Sequence, residues 1–140
     1  MVGQGTTVDI TFPVSSAESF GTPDIVLIDN DQLTHWAWGL QAKQMGIKLL
    51  KVYTSDEFEK IAPQLSKETP VFIDSDLGND IHGENLAPIY REKYGFKFIF
   101  LETAYEKLLG KRLPGIDAVV GKNLEQAIAT LKTFGFSFES

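Results

Sequence analysis

The stretch Val71-Phe72-Ile73-Asp74-Ser75-Asp76-Leu77-Gly78-Asn79-Asp80-Ile81-His82-Gly83 decides the fold. A short apolar run bounded by turn residues suits a strand covered on both faces, as in a parallel sheet. It ends abruptly in two acids and a loop rich in Gly, Asn and Asp. The same grammar recurs on either side, in the runs Ile25 to Ile28, Ile47 to Val52, Phe96 to Leu101 and Ile116 to Val120. Between the runs lie segments with apolar residues at i, i+3, i+4 and i+7: Leu33, Trp36, Ala37 and Leu40; Phe58, Ile61, Ala62 and Leu65; Leu124, Ala127, Ile128 and Leu131. Helix starts are signalled by Ser55 ahead of Asp56-Glu57, by Thr103 with Glu106 three residues on, and by Asn123. Gly46, Gly95, Gly110 and Gly135 stand where helices should stop, while Pro63 and Pro88 blur two boundaries. Five βα repeats predict an α/β fold, a doubly wound, mostly parallel five-stranded sheet with helices on both faces.

Composition narrows the functional classes. The chain has 140 residues, 43% hydrophobic and 23% charged, the size and balance of one globular domain. It contains no cysteine, which removes disulfides, thiolate metal sites and cysteine nucleophiles and fits a cytoplasmic setting. The N-terminus does not read as a signal peptide, and no apolar run is long enough to span a bilayer. A net charge of −6 argues against nucleic acid and against direct contact with an anionic membrane surface. Residues 1–22 read differently from the rest: a Gly/Thr-rich run, one alternating stretch (Val8, Ile10, Phe12) closed by Pro13, then a polar linker. A lone strand cannot bury its own apolar face, so this segment reads as a piece of a preceding domain or as an extra edge strand. The main domain is expected over 23–135, with 136–140 as a tail.

In a doubly wound sheet the working site lies beyond the carboxyl ends of the strands. There the sequence delivers Asp29-Asn30-Asp31, Asp74-Ser75-Asp76, Glu102-Thr103-Ala104 and Gly121-Lys122-Asn123. Neighbouring carboxylates repel one another and call for a proton or a cation. Magnesium takes hard oxygen ligands, and one or two carboxylates suffice. A lysine adds a point charge for a phosphoryl oxygen and a hydroxyl a second contact. These parts suit transfer of a phosphoryl group onto an aspartate.

From Asp24 to about Phe134 the chain resembles the receiver (response regulator, CheY-like) domain of two-component signalling, which implies a flavodoxin-type five-stranded parallel sheet with strand order 2-1-3-4-5. The resemblance implies that Asp74 is the phosphoacceptor and that Thr103 and Lys122 hold phosphoryl oxygens. It implies magnesium bound by Asp29, Asp74 and the main-chain carbonyl of Asp76. It also implies a histidine-containing phosphodonor as partner, and it places Asp76 and Tyr105 where phosphoryl lifetime is tuned. Three positions depart from the receiver pattern: Asn30 for a second acid, Asn123 for a proline after the lysine, and Val119 for an aromatic. They keep a non-phosphorylated pseudoreceiver open as an alternative. A haloacid-dehalogenase-type phosphatase is another, because Val71 to Asp76 fits its hydrophobic-run-then-DxD signature. Gly3 to Pro13 is similar to the last glycine box and strand of a histidine kinase ATP-binding domain, which implies a hybrid sensor kinase as parent.

Other residues carry smaller expectations. Asp31 is expected to cap the first helix, Trp36 to face the core, and Trp38 to be exposed as an interface anchor. His35 is expected on the surface, His82 in a solvated loop, and Glu102 beside a surface cation. Phe134, Phe136 and Phe138 either pack back on the domain or mark a homodimer contact.

Overall fold

The computed structural model describes residues 23–138. The expected strand at Val8 to Phe12 and its kinase resemblance lie outside the described residues. The sheet is parallel throughout and ordered β2-β1-β3-β4-β5, from β1 (Ile25–Ile28), β2 (Leu49–Val52), β3 (Val71–Asp74), β4 (Ile99–Thr103) and β5 (Ala118–Gly121). Helices α1 (Gln32–Met45), α2 (Ser55–Ile61), α3 (Gly83–Tyr94) and α4 (Leu124–Thr133) cover it. The predicted fold class is therefore the observed one.

Strand alternation divides the core in two. Val26, Ile28, Val71, Ile73, Ile99 and Leu101 face α2 and α3, while Ile25, Leu27, Phe72 and Phe100 face α1 and α4. Phe72 and Phe100, neighbours in register, stack at 4.8 Å between ring centroids. The α4 stripe Leu124, Ala127, Ile128 and Leu131 is buried as its spacing predicts, and Asn123 caps that helix by accepting from the Glu125 and Gln126 N–H groups. Phe136 and Phe138 turn back onto the same face, Phe136 meeting Phe98 at 4.9 Å.

The βα repeat fails once. After β4 the chain makes only the short turn Glu106–Leu108, because the segment from Ala104 to Gly110 lacks an apolar helical stripe and Gly110 turns left-handed at φ 76°. Arg91 of α3 clamps this connection instead, donating to the Gly115 carbonyl at 2.9 Å and to Asp117 Oδ2 at 2.9 Å. Asp117 Oδ2 also accepts from Ile99 N–H at 2.9 Å, which ties the entry of β5 to β4.

The expected face of α1 is reversed. Leu33 (75% exposed), Trp36 (66%) and Leu40 (47%) face solvent, whereas Thr34, His35, Trp38 and Ala42 are buried. The cause lies at the helix start. Asp31 caps α1 as expected, accepting from Leu33 N–H and from the Thr34 hydroxyl, and so turns Thr34 inward. Trp38 then reaches Phe72 edge-on at 5.6 Å. His35 is not on the surface: its ring lies against Tyr53 at 4.0 Å and its Nε2 meets the Asp29 carbonyl. Trp38→Ala should cost about 3–5 kcal/mol of stability through the cavity it leaves, whereas Trp36→Ala should stay within about 0.5 kcal/mol. Urea unfolding of the two variants checks this reversal directly.

Candidate functional site

Register builds the site. Asp74 ends β3 opposite Glu102, and Asp29 and Lys122 follow the last residues of β1 and β5. By alternation all four side chains share the parity of Phe72 and Phe100, hence the α1/α4 face of the sheet. The Lys122 ammonium sits 3.1 Å from Asp29 Oδ2 and 3.1 Å from Asp74 Oδ2. Asp29, Asp74 and Glu102 are buried and bring one oxygen each within 4.8 Å of the others. The structure thus brings together Asp29, Asp74 and Lys122, three of the residues singled out from the sequence.

Glu102 is the residue it misplaced. The glutamate pairs with no surface cation; it is 0% exposed and belongs to the carboxylate cluster. The signal was present in the sequence: Glu102 is two residues beyond Phe100 in a buried central strand, so it must face the way Asp74 faces.

The charges cannot all persist in so dry a setting. Burial, helped by the hydrogen bond to Asp29 and by the Asp29 and Asp74 charges, lifts Glu102 to about 11. Burial and the Asp29 charge lift Asp74 to about 7, with Lys122 opposing them. Burial also works against Asp29, but the Glu102 hydrogen bond, the Asp31 N–H and the Lys122 charge hold it below the usual carboxylate range. Lys122 is held above its ordinary value, the surrounding carboxylates outweighing its own burial. Near neutrality and without a cation, Glu102 is thus the protonated member and donates to Asp29. A proton on Glu102 supplies the donor that two facing carboxylates otherwise lack.

The remaining residues divide by sheet face. Thr103 has the parity of Leu101, so its hydroxyl lies on the α2/α3 face, accepting from Ser75 Oγ at 2.8 Å and from Tyr105 N–H at 3.0 Å. Asp76 is exposed; its N–H donates to Asp74 Oδ1 at 3.2 Å and its own Oδ1 accepts from Gly78 N–H. Its carboxylate is thus outside the cluster, and only its main chain adjoins Asp74. Gly83 closes the loop where a Cβ would stand 2.2 Å from the Asp74 carbonyl, so no other residue lets α3 start there. His82 is half-buried at this helix start, its Nδ1 3.1 Å from the Ser75 carbonyl. Tyr105 is exposed.

The donor set fits a divalent cation. All cluster atoms are hard carboxylate oxygens, and neither Glu102 oxygen has a hydrogen-bond donor among the described residues. No helix among the described residues is long and apolar enough to cross a membrane.

No family model matches the chain, and no curated protein matches it. Among solved structures, the chain is similar to a CheY-like response regulator receiver domain protein from Methanospirillum hungatei JF-1. That match has a TM-score of 0.63 at 18% identity, covering 81% of this chain and 94% of that one. It is also similar to a response regulator protein from Burkholderia pseudomallei with a phosphorylated aspartic acid, calcium ion and citrate. There the TM-score is 0.60 at 21% identity, over 78% of this chain and 66% of that one. The fold is thus that of CheY-like receivers.

A raised acid makes stability fall as pH climbs. The protonated form that folding favours is fully present below the unfolded value, 3.8 for Asp74 and 4.5 for Glu102, and is lost as pH rises through about 7 for Asp74 and through about 11 for Glu102. The metal-free chain should therefore be less stable at pH 8 than at pH 5. Asp74→Asn should recover on the order of 2 kcal/mol at pH 8 and roughly a third of that at pH 5. Urea unfolding with chelator at both pH values measures it.

Proposed function

We propose that this domain is a phosphoryl-accepting receiver of two-component signalling, with Asp74 as the acceptor. The observation that carries the reading is the Lys122 ammonium shared at 3.1 Å by Asp29 and Asp74 at the ends of β5, β1 and β3. A carboxylate oxygen of Asp74 attacks phosphorus, the bond from phosphorus to the donor imidazole breaks, and the imidazole departs with a proton from solvent. Lys122 compensates the charge on the transferred oxygens. Asp29, Asp74 and the main-chain carbonyl of Asp76 would hold magnesium. When bound, that ion supplies charge neutralisation at the phosphoryl oxygens and favours the ionised form of Asp74.

The donor is a histidine-containing domain, either of the same hybrid kinase or separate. The stretch Gly3 to Pro13 supports the hybrid arrangement by its similarity to the end of a kinase ATP-binding domain. The donor's docking face is the exposed stripe Leu33, Trp36 and Leu40 of α1, beside the mouth of the pocket at Asp31. A phosphoryl group adds about −1.5 to −2 charge on a buried acid and biases the surrounding loops. Because Asp76 is exposed and held to Gly78, the second acid of a DxD phosphatase does not face Asp74.

Incubation with acetyl phosphate and magnesium should add one phosphoryl group, mapped by mass spectrometry to Asp74, and Asp74→Asn should abolish it. Lys122→Ala should lower the extent of labelling about tenfold or more. Absence of both labelling and magnesium binding would instead select the pseudoreceiver. Trp36→Ala should leave labelling by acetyl phosphate unchanged while slowing transfer from a phosphohistidine protein.

A further inference from the structure

Lys122 answers two of the three buried carboxylates and leaves the third. Its ammonium lies 3.1 Å from Asp29 and 3.1 Å from Asp74, whereas neither Glu102 oxygen meets a donor N–H or O–H among the described residues. Glu102 is fully buried, and the strand register aims it into the pocket opposite Asp74 rather than into the apolar core. An apolar side chain would fill the same place without an electrostatic cost, and an ionised Glu102 needs a partner of its own. One oxygen of each acid lies within 4.8 Å of the others, a span that crosses a cation with ligands at about 2.4 Å. Three carboxylates are also what one ammonium and one divalent cation together neutralise.

We infer that Glu102 is a direct ligand of the divalent cation in this pocket, alongside Asp29 and Asp74. The inference rests on the reading of the pocket as a cation site, and it adds a ligand from β4. With a third carboxylate the ion is held more tightly, and flexible, oxygen-rich cations such as Mn2+ and Ca2+ are admitted beside Mg2+.

Titration with Mn2+, followed by loss of the free-ion EPR signal, tests the ligand role without any phosphoryl chemistry. Glu102→Gln should weaken Mn2+ binding by about tenfold or more, as should Asp74→Asn, with circular dichroism unchanged. If Glu102→Gln binds Mn2+ as tightly as the unmodified chain while Asp74→Asn does not, Glu102 is only a proton donor to Asp29. The inference then falls and the cation site stands. If the unmodified chain binds no Mn2+ at millimolar concentration, the inference and the metal-assisted reading of the pocket fall together. A measurement on the unmodified chain covers the case in which the variant does not fold. With glutamate labelled by carbon-13 at the side-chain carboxyl, electron-nuclear double resonance of bound Mn2+ should show the carbon-13 coupling of a directly coordinated carboxylate, and bound Mn2+ without that coupling overturns the inference.

Discussion

Repulsion among three buried acids is the constraint around which this domain is arranged. Parallel pairing sets Asp74 opposite Glu102, and strand parity turns Asp29 and Lys122 to the same face. The chain offsets that repulsion in two ways: the Lys122 ammonium between Asp29 and Asp74, and a proton on Glu102. Both are provisional arrangements, because an ammonium is one charge against three and a proton is exchangeable. A site with surplus buried negative charge favours whatever cation reaches it, and the Lys122 side chain, 23% exposed, is where the cluster meets solvent.

The surrounding fold makes that clustering affordable by fixing backbone positions. Phe72 and Phe100 stack directly beneath Asp74 and Glu102, two residues earlier on the same strands, so the acids stand on a rigid aromatic floor. Gly83 lets α3 approach the Asp74 carbonyl more closely than a Cβ would allow. Where a helix is missing after β4, Arg91 and Asp117 lock β5 to β4 and thereby hold Lys122 in reach. Removing any one of these supports would displace a charge, and displaced charges in a buried cluster are no longer matched.

The sheet was legible because parallel strands buried on both faces leave continuous apolar runs, and Asp29, Asp74 and Lys122 were legible as their endings. What misled was α1, a helix apolar on two sides. Leu33, Trp36 and Leu40 repeat at helical spacing as well as any core stripe, yet the Asp31 cap and the Trp38 contact with Phe72 fix the opposite phase. Periodicity gives the width of a stripe but not which of two stripes faces the sheet. Glu102 was missed for another reason: a charged residue at a strand end reads as surface unless strand parity is followed past the last apolar residue. The absent helix after β4 shows that Thr103 and Glu106 can match a capping pattern without a helical stripe behind them to nucleate on.

Parity also governs how a charge on Asp74 could be felt elsewhere. Thr103 is one residue beyond Glu102 and so lies across the sheet from the carboxylates, its hydroxyl accepting from both Ser75 and the Tyr105 N–H. To reach a phosphoryl oxygen on Asp74 it must release these bonds, each worth about 0.5–1.5 kcal/mol net. A charge-assisted bond to an anionic oxygen is worth roughly twice a neutral one, so the exchange is near balance rather than strongly driven. Ser75 and Tyr105 flank the two loops that would carry any rearrangement, and both lose their partner in the same event. A near-balanced exchange of this kind is what a two-state element requires: small enough in cost for one added group to tip, and large enough to hold without it.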